Sequence, residues 1–244
     1  MSKTLFPTTS AEGAKENRLK NCNALENQTT RRILPVVPAM ALALAFAFSL
    51  PQLARAEPIH VGNVPFNIKV PAGNHAFLVG HGVGTQNYVC APSASSPTGV
   101  AYALFTPQAT LFNDDSKQLI THFFSPSPSE TNTNPAVVSP GGAIRVTWQH
   151  RDTSTIWAKL HQSGKDGNGA VTVDTKAVAW LLLDKVGVQK GPTGGDTLTK
   201  TTFVQRLNTT GGLAPKTGCS SLTDVGNQAF VPYTADYFFY QKAN

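Results

Sequence analysis

From Glu57 onward the apolar and polar positions alternate with a period of two, seldom 3.6. Phe66, Ile68 and Val70 alternate with Asn67 and Lys69, which predicts a half-buried strand ended by the turn Pro71-Ala72-Gly73-Asn74. A short apolar strand is predicted over 76–79, followed by the stretch Gly80 to Cys90, in which Gln86, Tyr88 and Cys90 share one face and look inward. After the loop Pro92 to Gly99, three short strands are expected over 101–106, 109–112 and 119–124, separated by Pro107 and by the turn Asn113-Asp114-Asp115-Ser116. Residues 144–148 and 155–160 predict a hairpin with a charged tip, with Ile144, Val146 and Trp148 on one face. The apolar run Trp180 to Leu183 is too short for a helix and predicts a central strand buried on both faces over 177–184. Gly187 to Gly195 reads as a turn-rich connector, 202–207 as another strand, and 231–240 as a long aromatic strand that closes the chain. Two stretches lack a pattern, Ser125 to Gly142 and Gln162 to Asn168. The first, with four prolines, reads as a disordered or mobile flap, and the alternative is a binding loop. The expected fold is all-β: a single antiparallel β-sandwich or barrel-like domain of about ten short strands.

The first 56 residues break this pattern. Arg31-Arg32, the apolar run Ile33 to Leu50 and the small-residue site ending at Ala56 read as a signal peptide cleaved after Ala56. The uninterrupted apolar core, 40–50, is shorter than the ~20 residues of a membrane span; a buried or spanning helix is the competing reading. Residues 1–56 are thus expected to be leader and signal peptide, and 57–244 a single β domain. The expected location is secreted or periplasmic, with no stable membrane span after cleavage.

Removing that leader changes the charge. It holds seven of the 20 Lys and Arg and three of the 14 Asp and Glu, leaving 13 against 11. A net charge of +2 with scattered Lys and Arg gives no basic stripe, so nucleic acid is excluded as a partner. The leader also carries Cys22, which leaves Cys90 and Cys219. In an exported chain two cysteines most simply form one disulfide; two reduced buried thiols are the alternative.

Eight separated words resemble the domain-of-unknown-function 3455 family: Gly84 to Cys90, Thr121 to Pro126, Ile144 to Gln149, Asp152 to Trp157, Ala179 to Leu183, Gln205 to Thr209, Gly211 to Pro215 and Val231 to Tyr240. They occur in the family's order over roughly residues 60 to 242. The chain departs from the family's Ile-Pro-Trp at Val178-Ala179-Trp180. The resemblance implies an exported protein without an established activity. Some members carry a malate dehydrogenase label, and the chain offers no support for it. Gly80-x-Gly82-x-Gly84 is followed by Thr85 and an alternating strand, whereas a dinucleotide loop needs a third glycine opening a helix. Glycines that give a tight bend are the expected reading.

Candidate chemistry is sparse. No Gly-x-Ser-x-Gly elbow occurs, and the six histidines include no pair spaced to chelate a metal, so no metal and no cofactor are expected. His150 and Asp152 at the end of a strand form half of a general-base arrangement; the plainer alternative is a hairpin tip in which Asp152 binds turn amides. Arg206, among strand residues, calls for a carboxylate such as Asp236 or Asp184, or else for an anionic ligand. Asn208-Thr209-Thr210 is a glycosylation sequon, relevant only to secretion through an endoplasmic reticulum. Two functions follow. The first is a non-catalytic structural or ligand-binding protein that takes a small molecule or glycan in an aromatic groove near Tyr88, Trp148, Trp157 and Trp180. The second is a hydrolase built on His150, Asp152, His122 and Arg206. The sequence does not fix the oligomeric state.

Overall fold

The computed structural model describes residues 57–130, 142–161 and 169–243. The leader, the expected cleavage site at Ala56, most of the Pro-rich stretch and the loop 162–168 lie outside the described residues. Among the described residues nine strands follow one another: β1 (Asn74–Pro92), β2 (Val100–Phe112), β3 (Gln118–Pro126), β4 (Ile144–His150), β5 (Thr155–Leu160), β6 (Ala170–Val171), β7 (Trp180–Gln189), β8 (Phe203–Gly211) and β9 (Gln228–Lys242). Strands β1 to β5 pair antiparallel in chain order, as do β7 to β9. β9 returns to β1 and β5 pairs with β7, so eight strands close into an antiparallel barrel, with β6 added beside β7. Closure leaves few free edges, the usual liability of an all-β chain.

The fold is all-β as the alternation predicts, but its strands are fewer and longer than expected. Three expected interruptions are absent. The glycines of 80–84 make no bend; they lie within β1, which pairs with β2 and β9 on either side. Their role is steric. A Cβ at Gly82 would lie 2.9 Å from the Tyr237 ring, and one at Gly80 3.0 Å from the Leu111 Cβ. The missing side chains let the inner wall of β1 press against residues that fill the barrel.

Pro107 does not break β2 either. Asn87 pairs with Thr106 and Tyr88 with Leu104, so Phe105 is the extra residue of a bulge, a place where a sheet tolerates a residue without an N–H. The third absence is at Gly187 to Gln189, read as connector, which extend β7 along Trp157, Ile156 and Thr155 of β5.

Alternation sorts side chains into two apolar clusters. The interior holds Leu111, Ile120, Trp148, Ile156, Leu183, Leu198, Val204, Tyr237 and Phe239. The outer face of β7, β8 and β9 carries Leu182, Leu207, Phe238 and Tyr240. Leu182 and Leu183 thus face opposite clusters, which explains the unbroken apolar run in β7. The segment 57–70 covers the outer cluster with Ile59, Val61, Val64, Ile68 and Val70. Residues 66–68 form a 3-10 turn rather than the expected strand. Their backbone is held by a side chain instead of a ladder: Gln205 Nε2 donates to the Ile68 carbonyl at 2.7 Å, and the Tyr240 hydroxyl donates to Gln205 Oε1.

Cys90 and Cys219 are joined by a disulfide with a Cα separation of 5.4 Å. It fastens the end of β1 to the loop between β8 and β9. The same loop meets β1 again where the Tyr88 hydroxyl donates to the Gly212 carbonyl at 2.6 Å.

Candidate functional site

Towards one end of the barrel the inward positions do not fill the interior. A cavity of about 410 Å³ remains, bounded by Gln86 and Tyr88 of β1, His122 and Phe124 of β3, and Val146 and Trp148 of β4. Leu181 and Leu183 of β7, Arg206 of β8 and Tyr237 of β9 complete the wall. Thr172, Thr175 and 177–179, between β6 and β7, line it together with Leu213. Its volume is in the ~300–1,000 Å³ range of small-molecule sites, and most of its lining is hydrocarbon or aromatic.

The bulge helps to make room for it. β2 pairs with β3 only from Ala109 opposite His122 to Phe112 opposite Gln118. Pro107 has no N–H to continue the ladder, and the Phe124 N–H donates instead to Thr106 Oγ1 at 3.1 Å. Leu104, Pro107 and Phe124 line the cavity beside this gap.

Four polar side chains define the chemistry of the wall. His122 is buried, stacked on Trp148 with ring centroids 4.5 Å apart and 9° between planes. Its Nδ1 lies 2.9 Å from the Thr147 carbonyl oxygen, which only accepts, so Nδ1 carries the proton. Burial pushes its pKa down to about 3, so the ring is neutral near pH 7. Trp148 Nε1 and Gln86 Nε2 are buried with no hydrogen-bond partner among the described residues. Gln86 lies beside the Tyr233 hydroxyl without the geometry of a hydrogen bond, and Tyr233 itself pairs with Tyr237 at 3.0 Å.

Arg206 is the fourth. Its Nε and Nη2 both donate to the Ala179 carbonyl, at 3.1 and 2.8 Å. It makes no salt bridge among the described residues. Neither acid expected as its partner is engaged with it: Asp236 contacts His81 and Asn208, and Asp184 contacts His161. One guanidinium therefore stands in a largely apolar wall with a carbonyl and the Tyr237 hydroxyl beside it and no carboxylate partner among the described residues.

The expected site residues are divided by the barrel wall. Tyr88 and Trp148 line the cavity with His122 and Arg206. Trp157 alternates with Ile156 and Ala158 of the inner cluster, faces the other way, and donates its Nε1 to Ser125 Oγ at 2.8 Å. Trp180 packs with the outer cluster. Neither lines the cavity, and Leu181, Leu183 and Val146 take the places an aromatic groove would have given them.

His150 and Asp152 are in contact, with Nδ1 2.9 Å from Oδ1, but at the turn between β4 and β5 and outside the cavity lining. Asp152 Oδ1 accepts from the Ser154 amide and hydroxyl, and Oδ2 from the Thr197 amide and hydroxyl. Burial raises its pKa, but these bonds outweigh burial and hold the carboxyl well below the usual range. Asp152 is a tie between two loops: Ser154 Oγ in turn accepts from Leu198 N–H, and Leu198 is wholly buried. Among the described residues no group of three His, Cys, Asp or Glu is placed to hold a metal ion.

The family model described as "Protein of unknown function (DUF3455)" matches residues 71–241. This chain belongs to the DUF3455 family. No curated protein and no solved structure matches it. The DUF3455 match takes in every residue that lines the cavity, whereas the whole of the outer covering segment 57–70 precedes it. The family description brings no activity, so function is argued from the site itself.

Sequence reading placed Gln86 and Tyr88 on an inward face, and Val146 and Trp148 together on one face of their strand. It missed Val178, Leu213 and the two threonines, because loop residues carry no periodicity that reports which way they face.

Proposed function

We propose that this DUF3455 chain is an exported, non-catalytic binding protein that holds a small apolar molecule inside its barrel. The observation that carries this reading is the apolar cavity of about 410 Å³ lined by inward residues of the barrel. Apolar wall of this extent is unfavourable in contact with water, and an apolar occupant that covers it stabilises the folded chain by mass action. A glycan fits less well, since each sugar hydroxyl taken from water needs a partner and this wall supplies few. Hydrolysis fits less well again: Asp152 is saturated by structural hydrogen bonds, and His150 lies away from the cavity that holds His122 and Arg206. The disulfide between Cys90 and Cys219 accords with export to an oxidising compartment.

The test is binding of the neutral fluorophore N-phenyl-1-naphthylamine to the full chain and to Val146→Trp, which puts an indole into the space Val146 lines. Saturable binding by the wild type, lost in the variant while the unfolding temperature is retained, is expected. Equal binding by both proteins would show that the cavity is not the site.

A further inference from the structure

We propose that the ligand is an amphipathic monocarboxylic acid, with its carboxylate on Arg206 and its hydrocarbon against Leu181, Leu183, Phe124 and Val146. This rests on the reading of the cavity as a ligand site, and it specifies the chemistry of the occupant from features that reading does not use.

The polar groups of the wall are unequal in kind. Arg206 has five N–H donors and no acceptor, and its recorded bonds, from Nε and Nη2, go to a single carbonyl oxygen. The Tyr237 hydroxyl is the other polar neighbour of Arg206 on the wall, and no carboxylate pairs with Arg206 among the described residues. Trp148 Nε1 is a donor only, wholly buried and unpaired, and Gln86 Nε2 is a second unpaired donor. A buried donor left without an acceptor costs about 1–3 kcal/mol, so two such groups on one cavity, beside a guanidinium without a carboxylate, are explained by an acceptor that the protein does not supply.

Charge narrows the class. A guanidinium cannot lose its proton to escape an apolar wall, so a buried one is paired or binds an anion. The neighbouring His122 adds no second positive charge, because its ring is neutral near pH 7. A single cation calls for a single negative charge, and a planar carboxylate matches the fork of a guanidinium better than a point-charge anion does. The remaining lining, aliphatic along β4 and β7 and aromatic along β3, accepts a hydrocarbon body.

The experiment is displacement of N-phenyl-1-naphthylamine from the full chain by decanoate and by 1-decanol, which differ only in the head group. Decanoate is expected to displace the fluorophore at a concentration about tenfold or more below that of 1-decanol, the usual advantage of a charge-assisted bond. Arg206→Met is expected to bring the two within about threefold while still binding the fluorophore. Equal displacement of the wild type by acid and alcohol would overturn the carboxylate assignment and leave the apolar site standing. A decanoate preference that survives in Arg206→Met would remove Arg206 from the role. The wild-type comparison decides the head group alone should the variant fail to fold, and the failure of the cavity itself shows separately in Val146→Trp.

Discussion

Arg206 and His81 show how the same need, a partner for a cation, is met in two ways. His81 lies on the outer face of β1, half exposed, with Nδ1 2.7 Å from Asp236 and Nε2 2.9 Å from Asp114. The hydrogen bond to Asp236, opposed by burial and helped by Asp114, raises its pKa above the ordinary value of 6.5. A raised pKa means stability that is full below the unfolded-state value and is lost as pH rises through the folded one. Urea unfolding midpoints should therefore fall between pH 6 and pH 9 more in the wild type than in His81→Gln, with a difference of no more than about 1 kcal/mol for so exposed a cluster. Equal pH dependence in both proteins would mean that the triad contributes nothing. Sequence could name these residues but not pair them. His150 with Asp152 is legible because a single residue separates them, and its outcome as a turn tie is one of the two local readings. Asp236 reaches His81 across 155 residues, and Arg206 meets Ala179 rather than an acid, because the registers of β8 and β9 fix the neighbours.

At the level of elements, alternation was a good guide to strands and Gly and Pro were poor guides to their ends. The face carrying Gln86, Tyr88 and Cys90 is buried as expected, and so are both faces of β7 at Leu182 and Leu183. The errors share a cause: punctuation rules are local, whereas a barrel puts glycines where Tyr237 and Leu111 need room and seats Pro107 near a bulge, where the ladder to β3 has ended. The loop between β8 and β9 is the softest element by composition, with Gly211, Gly212 and Gly218 all at positive φ. It is held by the disulfide, by Tyr88 on Gly212 and by Asn227 on Gly218. A loop of 129 residues gives Cys219→Ser an expected cost of roughly 2–5 kcal/mol, measured by urea unfolding under non-reducing conditions. The fluorophore affinity should fall with it, since Leu213 lines the cavity. A variant as stable as the wild type would show that the hydrogen bonds alone hold the loop.

For the whole molecule, the sequence reached "all-β, sandwich or barrel" and stopped there for a physical reason. Closure depends on two long-range pairings, β1 with β9 and β5 with β7, and neither leaves a mark on the periodicity of its own strands. The cavity was hidden by the same fact, since it exists only where inward residues of seven strands meet around a gap. Its three tryptophans provide the most direct test of a ligand inside the barrel. Trp148 stands in the cavity with Nε1 unpaired, Trp157 is outside with Nε1 on Ser125, and Trp180 is in the outer cluster. In proton–nitrogen correlation spectra of the full chain titrated with decanoate, only the Trp148 indole signal should move, and it should saturate with the binding curve. Movement of the Trp157 or Trp180 signal alone, or no movement of any indole at saturating decanoate, would contradict an occupied barrel.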